Sequence, residues 1–186
     1  MTLLDTILDA NRKFVHPGAF PPLPKNPQKQ FAIFTCMDTR LVDFLEPAMG
    51  IKRGDAKVIK NAGNTVVDSL HGGVIRSLVA AIFMLGVEEI FVIGHEDCGM
   101  SRVDADDLKA RMAARGIDPR AVDVIVPDLA QWMGAFNCPA ENVAEVVAKI
   151  CANPLIPRDV PIHGLLFCPN DGHLDVIVNG YDHVQP

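Results

Sequence analysis

The 186-residue sequence has no unbroken apolar run long enough to cross a bilayer, which takes roughly 20 residues, so no membrane span is expected. It has no basic run either. The net charge of −6 is spread along the chain, leaving no electrostatic footprint for nucleic acid. No G-x-G-x-x-G follows a strand-like segment, which removes the phosphate loop that a dinucleotide-binding protein needs. Paired cysteine knuckles are missing, so a zinc ribbon is excluded, and neither internal repeats nor low-complexity segments occur. The first turns carry Asp5 and Asp9 where a signal peptide would carry basic and apolar regions, which predicts a cytoplasmic location. Five cysteines, an odd number, point to metal ligands or buried thiols and away from a disulfide framework. The expected partner is a small neutral or weakly charged molecule.

What is present is a strongly apolar chain, 49% hydrophobic, of a length that suits a single α/β domain over residues 1–186. Residues 2–14 form an amphipathic helix by pattern, with Thr2 as cap and Leu3, Leu4, Ile7 and Leu8 at helical spacing. Five prolines between Pro17 and Pro27 then impose an extended course, so residues 1–30 read as a helix followed by a proline-rich arm. Strand-like runs follow at residues 31–35, 56–60, 90–94 and 162–168. Helical patterns lie near residues 41–45, 72–85, 104–115, 118 onward and 140–151. The strand–helix–strand order gives parallel strands joined by a right-handed crossover. Pro169-Asn170-Asp171-Gly172 before the run 174–178 predicts a closing antiparallel hairpin. The fold class is therefore α/β: a mostly parallel central sheet of about four strands with a C-terminal antiparallel strand, flanked by helices, behind an N-terminal helical arm.

Cys36, His95 and Cys98 each fall at or just past the end of a predicted parallel strand, where open α/β sheets gather their ligand sites. Two thiolates and an imidazole suit Zn2+, and three protein ligands leave a fourth position for water or substrate. Cys168, also past a strand, is a candidate fourth ligand that would close the site. Cys138 and Cys151 read as buried small hydrophobes, and His16, His71, His163, His173 and His183 as surface or internally satisfied histidines. Asp38 and Arg40 are two apart, so a turn would let the guanidinium fork hold the carboxylate ionised. Asn61-Ala62-Gly63-Asn64 is a turn in which Gly63 permits close backbone approach.

The runs Cys36-Met37-Asp38-Thr39-Arg40 and His95-Glu96-Asp97-Cys98 resemble the C-x-D-x-R and H-x-x-C motifs of the β-class carbonic anhydrases, in the same order. The resemblance is close over about residues 31–100 and extends to layout elsewhere. It implies a zinc lyase that interconverts carbon dioxide and bicarbonate through zinc-bound hydroxide, with Cys36, His95 and Cys98 as metal ligands. It further implies that Asp38, held by Arg40, orients the hydroxide, that Gly63 adjoins the substrate, and that the arm wraps a partner in a homodimer or higher homo-oligomer. Relatives that hydrolyse carbonyl sulfide or carbon disulfide share these motifs, so that activity is the alternative. A non-catalytic zinc-stabilised binding module is the second. Phe34, Val67 and Leu85 are candidates for an apolar pocket wall. The family's partner-supplied aromatic has no clear counterpart, since Tyr181, the only tyrosine, lies far down the chain.

Two thiolates cancel the formal charge of zinc, so such a site acidifies water less than one built from three neutral histidines. Hydration activity is therefore expected to climb through and above neutral pH in stopped-flow assays. A flat profile down to mildly acidic pH would contradict the ligand set.

Overall fold

The computed structural model describes residues 1–184. In chain order the elements are α1 (Leu3–Phe14), β1 (Phe31–Cys36), α2 (Leu45–Ala48), β2 (Ala56–Asn61), α3 (Gly73–Leu85), β3 (Glu89–His95), α4 (Ala105–Ala114), α5 (Pro119–Ile125), α6 (Leu129–Met133), α7 (Pro139–Cys151), β4 (Ile162–Phe167) and β5 (Leu174–Val178). The strands form one sheet in the order β2-β1-β3-β4-β5, with the first four parallel and β5 antiparallel. This is the expected architecture. The chain steps from β1 outward to β2, crosses back through α3 to β3 on the other side of β1, and continues to β4. The order therefore reverses between β1 and β3, and the carboxyl ends of those two strands carry Cys36 and His95.

The inner strands are apolar on both faces because helices or loops cover both. On one side Phe34 and Val92 pack under Ile75 and Leu78 of α3 and Val143, Val146 and Ile150 of α7. On the other, Ile33, Ile93 and Phe167 pack with Leu41 and Leu45. Between the strands, the buried Thr35 hydroxyl donates to the Ile93 carbonyl at 2.8 Å, one residue short of the site.

Thr2 caps α1 as expected, in a reciprocal capping box with Asp5; the structure also shows Asp104 capping α4 and Gly86 closing α3 in the left-handed conformation. The helix expected at 41–45 is instead a 3₁₀ turn at Thr39–Leu41 followed by α2, which contains Pro47. Asp43, at φ 55°, interrupts the helical path, and Pro47 sits in the first turn of α2, where its missing N–H has no intrahelical partner to lose. Helix α6, capped by Asp128, has too short a pattern to have been anticipated. The arm follows an irregular course, with the Gln28 and Lys29 amides donating to the Gly54 and Asp55 carbonyls ahead of β2. Among the described residues, no helix is long and apolar enough to cross a membrane.

Helix α7 approaches the sheet through glycines. A Cβ on Gly164 would lie 2.7 Å from Val143 Cγ1, closer than packed atoms tolerate. Gly164→Ala is accordingly expected to cost about 1–3 kcal/mol by overpacking, read as a lower midpoint in urea unfolding. An unchanged midpoint would show that α7 can shift without loss.

Candidate metal centre

The register that pairs β1 with β3 brings Cys36 and His95 to neighbouring strand tips, and the turn after β3 returns Cys98 to the same point. Asp97 makes that return with φ 52°, a left-handed conformation that a short polar side chain tolerates. The two sulfurs are 4.0 Å apart, and with a His95 ring nitrogen all three ligand atoms lie within 4.8 Å of one another. All three residues are buried, His95 completely. His95 Nδ1 is 2.8 Å from the Glu96 carbonyl oxygen and donates to it, which turns the Nε2 lone pair toward the sulfurs. Among the described residues Nε2 has no hydrogen-bond partner, and an orphaned buried nitrogen costs about 1–3 kcal/mol unless something else satisfies it.

The electrostatics of the trio point the same way. The Cys36 thiol is pulled down to about 4, foremost by the hydrogen bond from the Cys98 thiol. Contacts to His95 and the backbone amides of Gly63 and Asp38 add to this against the opposing effect of burial. Cys98, the donor of that pair, is pushed up. Burial disfavours the charged form of His95, but the nearby Cys36 sulfur and the Glu96 carbonyl that accepts from Nδ1 outweigh this and raise its pKa. A divalent cation exchanges these shared protons for itself and takes both sulfurs as thiolates. Tetrahedral zinc with bonds of about 2.3 Å sets two sulfurs roughly 3.8 Å apart, close to what is found. The donor set fits zinc.

Asp38 and Arg40 meet as the sequence spacing allows. Arg40 Nε and Nη2 donate to Asp38 Oδ1 and Oδ2 at 3.0 and 2.8 Å, a bidentate fork, while the Arg40 amide donates to Oδ1 at 2.9 Å. Asp38 Oδ2 is 3.7 Å from His95 Nε2. Sequence reasoning did not find that Arg40 also donates to the Asp97 carboxylate at 3.2 Å and to its carbonyl at 2.9 Å, so one guanidinium ties the two motif loops together. Gly63 adopts φ 70° and donates its amide to Cys36 Sγ at 3.3 Å. A Cβ there would fall 2.7 Å from Met100. Asn142 of α7, also missed, donates to the Gly63 carbonyl at 3.2 Å.

Other candidates stand apart. Cys168 is outside the cluster, with Asp171 and Glu96 as its side-chain neighbours. Cys138 and Cys151 are free and partly buried. His163 is buried, its Nδ1 accepting from the Gly180 amide at 3.1 Å and its Nε2 lying 2.7 Å from the Glu89 carboxylate. Of the proposed pocket wall, Phe34 is fully buried beneath α3 and α7, and Leu85 ends α3 just before β3 begins, at the opposite end of the sheet from His95. Apolar periodicity marks both as core and cannot tell which end of an element faces the site. Val67 lies in a groove with Asn61, Thr65 and Trp132 beside the Gly63 turn.

Fold and site together define an α/β protein with a buried two-cysteine, one-histidine centre capable of holding a metal at the sheet's switch point. Comparison with known proteins sharpens this. The carbonic anhydrase family matches over residues 31–174. Putative carbonic anhydrase YvdA of Bacillus subtilis is 40% identical over 187 residues, spanning 98% of this chain and 94% of that protein. The crystal structure of β-carbonic anhydrase isoform I from Trichomonas vaginalis superposes with a TM-score of 0.93 at 44% identity, covering 97% of this chain and all of that one. A carbon disulfide hydrolase from Acidithiobacillus thiooxidans is 32% identical over 82% of this chain and 78% of its own length. The chain belongs to the β-carbonic anhydrase family.

The fork to Arg40 is the leading cause that holds the Asp38 carboxyl at about 2. A depressed carboxylate stabilises the fold fully above its usual value of 3.8, and that contribution fades as pH falls toward 2. In Arg40→Leu the Asp38 carboxyl is expected to titrate nearer 3.8, followed by carbon-13 NMR of the side-chain carboxyl. A titration that stays near 2 would show that the fork is not its cause.

Proposed function

We propose that this protein catalyses the reversible hydration of carbon dioxide to bicarbonate, using Zn2+ held by Cys36, His95 and Cys98. The observation that carries the reading is the buried, unpartnered His95 Nε2 facing two sulfurs, with an ionised Asp38 at 3.7 Å. Zinc on such ligands supplies a coordinated water acidic enough to act as a nucleophile near neutral pH.

The remaining work falls to the chain. Asp38 offers a carboxylate oxygen that accepts a hydrogen bond from the attacking oxygen and aims its lone pair at the carbon. Arg40 keeps that carboxylate charged and fixed before substrate arrives, so little orientation is left to be lost in the reaction. Gly63 adjoins the substrate with its backbone. Its lack of a Cβ lets Met100 and Phe136 close against the turn, giving the apolar lining that a linear triatomic molecule requires. Support for an assembled enzyme comes from α1, none of whose residues is buried and whose Leu3, Leu4, Ile7 and Leu8 are exposed. We propose that this stripe packs on a second copy in a homodimer or higher homo-oligomer.

The identity to a carbon disulfide hydrolase supports a second reading, hydrolysis of carbon disulfide or carbonyl sulfide at the same centre. Initial rates of the zinc-loaded protein on the three substrates separate the two. The proposal expects rapid carbon dioxide hydration, loss of bound zinc and activity together in Cys98→Ser, and a fall on the order of 10²-fold in Asp38→Asn with zinc retained. Negligible carbon dioxide hydration with turnover of carbon disulfide would favour the second reading. Full activity in Asp38→Asn would remove that residue's role, and a monomeric mass in sedimentation would contradict the assembly.

A further inference from the structure

Helix α7 buries Val143, Val146, Val147 and Ile150, and among them one amide, Asn142. A buried side-chain amide on an otherwise apolar face costs stability unless it is hydrogen-bonded, and this one is bonded to the turn that touches the metal centre. Asn142 Nδ2 donates to the Gly63 carbonyl at 3.2 Å, and the Gly63 amide in turn donates to Cys36 Sγ at 3.3 Å. The two bonds bracket the backbone torsions of a single glycine. Gly63, at φ 70°, has no Cβ to restrict those torsions, so without an anchor the aim of its N–H would wander.

The anchor itself is rigidly seated. The next residue, Val143, packs into the spaces left by the missing Cβ atoms of Gly94 and Gly164, where added carbons would lie 2.6 and 2.7 Å from it. Gly94 directly precedes His95. The helix that presents Asn142 to the turn is thus locked against the strand that presents the histidine.

Resting on the zinc assignment above, we infer that Asn142 is a positioning residue: through Gly63 it holds an N–H on the Cys36 sulfur, and so sets how tightly that sulfur, and with it the centre, binds zinc. Groups that orient metal ligands from behind typically change metal affinity about ten- to hundred-fold when removed.

The test compares Asn142→Leu, which keeps the volume and loses the donor, with Val146→Ala on the same helix, which loosens the core without touching the turn. Chelator competition measures zinc affinity, and the thiolate-to-metal charge-transfer band of the cobalt-substituted protein reports on the sulfurs. Asn142→Leu is expected to lose about ten- to hundred-fold in zinc affinity and to change the cobalt band. Val146→Ala is expected to lower Tm and leave both readouts in place. Should the leucine variant fail to fold, Asn142→Asp, which cannot donate to the carbonyl, is expected to show the same loss. Unchanged affinity and spectrum in the Asn142 variants, or an equal loss in Val146→Ala, would overturn the inference alone. A wild-type chain that takes up no zinc would overturn the zinc assignment and this inference with it.

Discussion

A fully buried imidazole nitrogen with no hydrogen-bond partner among the described residues is the constraint around which the structure is organised. His95 spends Nδ1 on the Glu96 carbonyl and leaves Nε2 facing the sulfurs of Cys36 and Cys98. Three soft donors crowded into a protected space make a poor hydrophobic core and a good cation site. The sheet creates that space because β1 and β3 are neighbours running the same way, so their ends open together. What would be a packing defect in an ordinary core becomes a site of stored affinity.

Around that point the polar groups are arranged in pairs that restrain one another. Arg40 bridges the loop after β1 to the loop after β3, and its hold on Asp38 and Asp97 is possible only when both loops are closed. The turn after β2 reaches the same centre through Gly63, itself fastened to α7. Three loops that follow three different strands are therefore coupled to one sulfur, one carboxylate and one helix. A rigid sheet below and a short span above give the centre its precision.

Much of this was readable beforehand, for definite physical reasons. Continuous apolar runs announce buried parallel strands, so Cys36 and His95 could be placed at strand tips before any coordinates. The two-residue spacing of Asp38 and Arg40 is enough for a local fork. Asn142 was not readable, because its partner lies 79 residues away and a lone asparagine within a helical pattern looks like a solvent position. The role of Asp97 was hidden for the same reason: the contact to Arg40 spans 57 residues. Phe34 and Leu85 went astray because apolar spacing reports burial without saying which end of the sheet a side chain serves. The break at Asp43 depends on a left-handed residue that pattern alone does not reveal.

The most direct test of the central claim is zinc-edge X-ray absorption on the metal-loaded protein, which counts sulfur and nitrogen neighbours around the ion. The account predicts one zinc per chain with two sulfurs near about 2.3 Å, one imidazole nitrogen near about 2.0 Å and a light-atom fourth ligand. A shell of three sulfurs, or zinc bound without the imidazole, would contradict it.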